Sequence, residues 1–283
     1  ESDLGIGSTL MREKDGMEMV YVPEGSFIMG DDDTYDASPE HEVYLDAYWI
    51  DKFEVTNSQY AQCVEAGICT DPFTSRSFTR NDYYRTDEYS DYPVVYLSWD
   101  QANNYCGWVG GNLPTEAQWE KAARGTDGRA YPWGDETPTC DLANHYYGEY
   151  CVGDTSPVGS YPAGASPYGA LDMAGNVAEM TADWYDKEYY AVSPSDNPMG
   201  PDSGEYRVAR GNSWSGDTGR EHSINVYKRD RTEPYADQYD YDVGFRCAYP
   251  AEEQTPEPTP IPTPESESDL GIGSTLMREK DGM

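Results

Sequence analysis

The sequence has few basic residues, few histidines and no long hydrophobic run. Nineteen Lys and Arg stand against 53 Asp and Glu, which gives a formal net charge of −34. Such a charge disfavours nucleic acid and anionic membranes as partners. No stretch of about 18 apolar residues is present to span a membrane. The three histidines, His41, His145 and His222, lack the helical i, i+4 spacing of a metal site.

The excess of carboxylates has two interpretations. Close assembly of chains with this charge requires separation, screening or bound cations, so divalent cations are plausible partners. A solvated acidic surface that keeps the protein soluble is the alternative interpretation.

The six cysteines lack the C-x-x-C spacing of a zinc site. Their even number favours disulfides and therefore an extracellular or cell-surface location. Cys63 with Cys69, and Cys140 with Cys151, are local pairs separated by loop-forming residues, which leaves Cys106 and Cys247 for each other. Buried free thiols are the alternative.

The chain contains a perfect internal repeat. Residues Glu1 to Met17 recur as Glu267 to Met283, at an offset of 266 positions. We therefore expect residues 1–250 to form one domain, residues 251–266 a linker, and residues 267–283 either the start of a next repeat or a strand that links subunits. A duplication introduced during expression is the alternative. In a strand-linked assembly, four apolar side chains of the copy would contact a neighbouring sheet edge: Leu270, Ile272, Leu276 and Met277.

The linker is predicted from its alternating prolines. They are Pro256, Pro258, Pro260, Pro262 and Pro264. Prolines in this pattern favour polyproline II, a semi-rigid spacer that would span roughly 50 Å here.

Secondary-structure patterns predict an α+β fold with few short helices, small twisted antiparallel sheets and long loops. Capping-box pairs predict helices that start after Thr56, Ser98 and Thr115 and stop near Gly67, Gly110 and Gly125. Strands are predicted at Met19–Val22, Ser26–Met29, Val43–Ile50, Tyr206–Ala209 and Val243–Ala248.

Several motifs in order resemble the formylglycine-generating enzyme, or sulfatase-modifying factor, family. They are YPVVYLSWDQANNYCGWVGGNLPTEAQWEKAARG from Tyr92, YPWGDE from Tyr131, SPYGALDMAGNVAEM from Ser166, RVARGNSW from Arg207 and VGFRCA from Val243. The resemblance implies a variant C-type-lectin fold over nearly all of residues 17–248. It also implies a disulfide between Cys106 and Cys247.

The catalytic residues of that family are missing. The family places two reactive cysteines, five positions apart, just after its RGGSW-like segment, where they bind copper and activate oxygen. Gly216 and Glu221 occupy the matching positions in this chain. Neither can supply the soft thiolate that copper(I) requires, so we do not expect an enzyme.

A structural calcium site of the family is better preserved. The resemblance implies ligands at Asp172, Gly175, Val177 and Glu179, which would supply two carboxylates and two carbonyl oxygens of the kind that calcium prefers. A simple Gly-Asn turn with exposed acids is the alternative. A second family site would use Asn144 and the carbonyl of His145, but the loop that carries its other ligands is shortened here.

These observations favour a non-catalytic, extracellular structural domain that forms a fibre or surface array with other copies of itself, through its linker and duplicated segment. The first alternative is a calcium-dependent, lectin-like module that binds a glycan or a protein, and fold analogy alone supports it. A divergent copper oxidase of the formylglycine-generating type is the third hypothesis.

Overall fold

The computed structural model describes residues 4–216, 224–235 and 241–251. Glu221 and the residues assigned to the linker and the repeated copy, including the prolines from Pro256 to Pro264 and Leu270, Ile272, Leu276 and Met277, lie outside the described residues. None of the helices in the described ranges is long and apolar enough to cross a membrane.

Three helices lie where the capping pairs predict them. They are α1 (Asn57–Glu65), α2 (Trp99–Trp108) and α3 (Glu116–Arg124). Each begins with a complete capping box, in which the Ser or Thr side chain accepts from the backbone of a Gln three residues later and that Gln side chain accepts in return. These reciprocal bonds satisfy backbone donors that a helix start leaves unpaired.

Short 3-10 helices lie at Asp87–Tyr89, Pro162–Gly164 and Tyr189–Ala191. The described residues also form ten short strands. They are β1 (Thr9–Met11), β2 (Glu18–Val22), β3 (Gly25–Met29), β4 (His41–Leu45), β5 (Tyr48–Asp51), β6 (Ala178–Trp184), β7 (Arg207–Arg210), β8 (Arg229–Thr232), β9 (Val243–Gly244) and β10 (Ala248–Pro250). The strands form sheets in the orders β1-β2-β5-β10, β3-β4 and β8-β7-β6-β9. All pairings are antiparallel except that of β6 with β9. The predicted fold class, α+β with few helices and small sheets, is confirmed.

Two predicted strands are each divided in two. The single strand expected over Val43–Ile50 is wrong, because β4 and β5 belong to different sheets and the chain turns at Asp46 and Ala47. The Asp46 amide donates to the Asn197 side chain instead of to a strand. Val243–Ala248 is likewise interrupted between β9 and β10. A run of apolar and β-branched residues does not reveal such a break.

Three disulfides pin the long loops. They join Cys63 to Cys69, Cys106 to Cys247 and Cys140 to Cys151, so that none of the six cysteines is free. These are the expected pairs. The second bond connects α2 to the residue just before β10, across 141 positions of sequence. It therefore ties the middle of the domain to its end.

Candidate functional site

Three buried carboxyl groups converge beside β6. Glu54 lies between β5 and α1, Asp172 lies in the loop before β6, and Glu179 lies within β6. Glu54 and Glu179 are 0% exposed and Asp172 is 7% exposed. Buried carboxylates require partners or counter-charges, so each has to be accounted for.

Both carboxylate oxygens of Glu179 accept hydrogen bonds. Its two oxygens accept from Nη2 and Nε of Arg246, each at 2.6 Å, and Oε2 also accepts from Nε1 of Trp119 at 2.7 Å. Arg246 further donates to the carbonyls of Asp51, Lys52 and Leu171. One guanidinium thereby holds β6 against the end of β5 and the loop before Asp172.

Asp172 and Glu54 face each other. Asp172 Oδ2 accepts from the Gly159 amide at 2.6 Å, and its carboxyl group lies within hydrogen-bonding reach of Glu54. Burial raises the pKa of Glu54 well above its usual value, and the charges of Asp172 and Glu179 raise it further. Burial likewise raises the pKa of Asp172, to about 6.

Asn176 joins this cluster to its surroundings. Its Nδ2 donates to Glu54 Oε1 at 3.0 Å, and its Oδ1 accepts from the amide and hydroxyl of Ser156 at 2.9 and 3.1 Å. Asn176 has φ +57° and Gly175 has φ +84°. A Cβ at Gly175 would lie 2.3 Å from the carbonyl oxygen of Asn144, so this position requires glycine. The tight loop directs Asp172 and Glu179 toward the same side.

The charges of the cluster suit a divalent cation. Glu54, Asp172 and Glu179 carry three negative charges when ionised, and Arg246 supplies one positive charge. The difference of two negative charges is what a divalent cation neutralises, and carboxylate oxygens are its preferred ligands. One carboxylate oxygen, Oε2 of Glu54, is buried without a hydrogen-bond partner in the described part of the chain. By charge and donor type, the cluster therefore fits such an ion.

The weaker expected site at Asn144 and His145 has mixed support. Asn144 Oδ1 is buried without a partner within the described ranges, as a ligand oxygen would be before an ion binds. The carbonyl of His145, however, accepts from the Cys151 amide at 3.1 Å. The nearby Asp154 carboxylate is taken up by Ser77, Thr79 and Arg80.

A different cluster of metal-binding atom types, formed by Cys140, His145 and Cys151, has its ligand atoms within 4.8 Å of one another. Both sulfurs are in a disulfide, and only thiolates bind a metal strongly. As described, this cluster does not provide a metal centre.

Gly216, which the resemblance aligns with a family catalytic cysteine, lies in a confined place. It has φ +61°, and a Cβ built on it would lie 2.8 Å from Tyr146 Cβ. Ser213 and Ser215, shortly before it, both donate to the partly buried Asp242 carboxylate, at 2.6 and 2.5 Å. The backbone and Tyr146 together leave little room for any side chain at 216.

Aromatic side chains gather around Trp214, two residues before Gly216. Phe78 and Tyr241 have ring centroids 5.3 and 5.9 Å from that of Trp214, and Tyr150 lies at 5.8 Å. Phe78 and Tyr150 are 57% and 51% exposed. Part of this cluster is therefore available on the surface.

The first copy of the repeated segment is built into the domain. β1 pairs with β2, and the following Arg12 is 6% exposed. Arg12 donates to Asp15 at 2.7 and 2.6 Å, to Asp51 at 2.6 Å and to the Tyr249 hydroxyl. Asp15 accepts from the Tyr105 hydroxyl. These contacts, which we call the segment-docking site, connect the segment to the end of β5, to β10 and to α2.

The family resemblance implied Asp172, Gly175, Val177 and Glu179, which lie on one continuous stretch of sequence. It did not indicate Glu54, Asn176 or Arg246. Glu54 and Asn176 are 122 positions apart, so neither periodicity nor spacing could join them. The capping box that follows Glu54 shows where α1 starts but says nothing about the side chain before it.

Comparison with known proteins agrees with this architecture. The sequence profile of the sulfatase-modifying factor enzyme 1-like domain matches residues 8–251. The formylglycine-generating enzyme of Streptomyces coelicolor is 34% identical over 285 aligned positions, which cover 82% of this chain and 89% of that protein. The serine/threonine-protein kinase pkn1 of Chlamydia caviae is 36% identical over 245 positions, which cover 82% of this chain. The chain spans only 38% of the length of that kinase.

Solved structures share the fold. PvdO from Pseudomonas aeruginosa superposes with a TM-score of 0.71 at 28% identity, over 87% of this chain and 99% of that one. Treponema denticola variable protein 1 superposes with a TM-score of 0.66 at 24% identity, over 86% and 98% of the two chains, a likeness of fold alone. Together with the profile match, these similarities show that the chain belongs to the sulfatase-modifying factor enzyme 1-like domain family.

Proposed function

We propose that this chain is a non-catalytic, extracellular structural unit that forms a fibre or surface array with other copies of itself. The observation that carries the proposal is the burial of the segment that the sequence repeats. Arg12, Asp15 and Met17 are 6%, 8% and 2% exposed, so this segment is part of the domain and not a free tail.

The second copy of the segment carries the same side chains as the first. Arg278 and Asp281 correspond to Arg12 and Asp15. In the first domain the segment-docking site is filled by residues 9–17. The second copy therefore finds an equivalent site in a second domain, which is either joined through the same chain or supplied by a separate chain.

The course of the chain through one sheet suits head-to-tail assembly. The repeated segment enters at β1, and the linker follows β10, at the opposite edge of the sheet β1-β2-β5-β10. Three strand spacings separate these edges by about 14 Å. A proline spacer of roughly 50 Å would then hold neighbouring acidic domains apart.

The state of the cysteines supports a role without copper chemistry. All six are in disulfides, so no thiolate is available to bind copper(I). The confined position of Gly216 also leaves little room for a catalytic cysteine. The same disulfides support an oxidising, extracellular environment.

A structural calcium ion at the buried carboxylate cluster is the second part of the proposal. Asp172, Glu179 and the carbonyls of Gly175 and Val177 would hold the ion. When bound, it would supply positive charge to a cluster that Arg246 alone leaves negative. We expect it to stabilise the loop before β6 and to take no part in a reaction.

The array is tested by the mass and the appearance of native material. After reduction under denaturing conditions, a covalent array has an intact mass above the 31.7 kDa of this chain by multiples of one repeat. A separate-chain array dissociates to one mass under those conditions but shows beaded fibres or a lattice by electron microscopy. Solitary particles together with a single mass would contradict both forms.

A calcium-dependent binding module is the second candidate function. The exposed Phe78 and Tyr150 beside Trp214 favour it, because aromatic faces suit stacking against sugar rings or apolar side chains. A glycan array with and without a calcium chelator tests this role. The absence of any calcium-dependent binding would argue against it.

A further inference from the structure

A cavity of about 360 Å³ lies beside β10, the last strand of the described residues. Its volume falls within the range of roughly 300–1,000 Å³ that is usual for binding pockets. The apolar part of its wall includes Leu113, Met199 and the indole of Trp99, and Met199 is 68% exposed. The cavity therefore offers apolar surface that a partner can reach from outside.

Trp99 gives the cavity a firmly held wall. Its Nε1 donates to the carbonyl of Thr181 at 2.7 Å, and the guanidinium of Arg207 lies 3.6 Å from the ring centroid. Because these two contacts hold the indole in place, little side-chain entropy is lost when a partner binds. The amides of Asn103 and Asn112, which also line the cavity, can donate to carbonyl groups.

The charge of the lining and the edge of the sheet limit what fits. None of the described residues that line the cavity is basic, and Asp46 is the one acidic residue among them, so an anionic ligand has no counter-charge. An added β-strand is also disfavoured, because Ala248 already exchanges backbone hydrogen bonds with Asn112 and Pro250 has no N–H. These features favour an occupant that is uncharged, apolar and held by side-chain contacts.

The linker, which lies outside the described residues, contains one such segment. Residues 258–264 (PTPIPTP) carry no charge, whereas Glu257 and Glu265 stand on either side of them. The positions between the alternating prolines hold Thr or Glu except at Ile261. A solvated spacer gives no reason for an isoleucine. A polyproline II segment, moreover, loses little conformational entropy when an aromatic-lined groove binds it.

The chain leaves the domain beside this cavity. Pro250 lines it, and the Ala251 amide donates at 3.3 Å to the carbonyl of Ala47, another lining residue. Residues 252–260 separate Ala251 from Ile261 and can span roughly 30 Å. The linker is therefore long enough to turn back and reach the cavity that its own first residues border.

We propose that the cavity binds the linker of its own chain, with Ile261 as the anchor. Tethering favours this linker over that of a neighbour, because a short connection keeps its end at a local concentration on the order of millimolar. Docking would fix the direction in which the linker leaves the domain. The inference goes beyond the proposed array and does not depend on it, because the cavity and the segment belong to one chain.

The test uses the full chain with labelled methyl groups and measures nuclear Overhauser effects (NOEs). We expect NOEs from the δ1 methyl group of Ile261 to the methyl group of Met199 and to the ring of Trp99. Ile261→Thr, which continues the Thr-Pro pattern of the linker, should shift the Met199 methyl resonance. Ile68→Thr makes the same chemical change at an isoleucine that is 56% exposed, and should leave that resonance in place.

A second variant alters the cavity and leaves the linker intact. Met199→Asp places a carboxylate at an exposed position of the lining, so the domain should stay folded while the NOEs from Ile261 to Trp99 are lost. An Ile261 methyl group without NOEs to the domain in the wild-type chain would overturn the inference. NOEs that weaken on dilution relative to those within the domain would also overturn it, because a neighbouring chain would then supply the segment. Neither result bears on the array, which native mass and imaging decide.

Discussion

Gly216 lies where the family resemblance predicts that the enzymes have a catalytic cysteine. At Gly216 the backbone has φ +61°, and Tyr146 stands where a side chain would begin. A side chain at this position would meet Tyr146. Introducing a cysteine there would require Tyr146 and the backbone to move.

We predict that Gly216→Ala destabilises the domain more than Gly148→Ala does. Gly148 has φ +76°, but no atom lies within 4 Å of where its Cβ would be. The Gly148→Ala substitution therefore measures backbone strain alone, a loss of about 1 kcal/mol in the free energy of unfolding. Gly216→Ala adds the contact with Tyr146, for a further ~1–3 kcal/mol. Urea unfolding measures both changes. Equal losses would show that Tyr146 moves aside freely.

Asp183 gives the stability of the domain a dependence on pH. It is 3% exposed, and its Oδ2 accepts from the Glu116 amide at 2.7 Å, at the start of α3. Burial, assisted by the charge of Glu116, raises its pKa from the usual 3.8 to about 7. The native state therefore holds a proton on Asp183 at pH values where the unfolded chain has lost it.

We predict that Asp183 makes the free energy of unfolding fall as the pH rises from about 4 to about 7. In that window the native state binds a proton that the unfolded chain has lost. The effect should be on the order of 2–4 kcal/mol. Asp183→Asn should remove that decline, whereas Asp202→Asn, at an exposed position, should keep it. Urea unfolding across this pH range provides the measurement. The same slope in Asp183→Asn would rule out this assignment.

At the scale of secondary-structure elements, the starts of the helices could be predicted from local sequence. Which sheet each strand joins could not. The capping boxes indicate where the helices begin because both partners lie within four residues of each other. β6 was missed because most of its side chains are buried and show no alternation, as in an inner strand. The sequence of β8, RDRT, is typical of a solvent-exposed segment. Arg229, however, is 1% exposed and forms an ion pair with Glu116 at 2.7 Å.

We predict that removing the cap of α3 weakens the domain measurably. In Thr115→Ala the Gln118 amide loses its acceptor, now at 3.2 Å, and the free energy of unfolding should fall by about 1 kcal/mol. Thr115→Ser keeps the hydroxyl and should retain most of that energy. Chemical denaturation compares the three chains. If Thr115→Ser loses as much as Thr115→Ala, packing of the methyl group and not the cap would be responsible.

At the scale of the whole molecule, the repeat acquires a physical meaning from the segment-docking site. Sequence identity showed that residues 1–17 and 267–283 are equivalent, but not that Arg12 reaches Asp51 and Tyr249 from distant parts of the chain. Those contacts depend on tertiary structure, so no local pattern could predict them. They hold the first copy of the segment in the domain.

We predict that the two copies of the segment respond differently to the same substitution. Arg12→Ala leaves Asp15 and Asp51 buried without their partner, and should reduce the free energy of unfolding by ~3–5 kcal/mol. Arg278→Ala should leave the stability of the first domain unchanged. If separate chains are linked through the copy, it should also weaken their association, which sedimentation over a range of concentrations measures. Unchanged association in Arg278→Ala would contradict that form of linkage.

The disulfide between Cys106 and Cys247 determines how far a tandem array of such domains would extend under mechanical force. Tension along the chain would enter near β1 and leave after β10, the strand that directly follows Cys247. Because the disulfide closes a loop of 141 positions, that part of the chain cannot lengthen unless the bond is reduced. Of the domain before this loop and within it, only the residues before Cys106 can unfold and extend under force. Each domain would therefore extend by less than half of its contour length. Beyond that point the disulfide would bear the force.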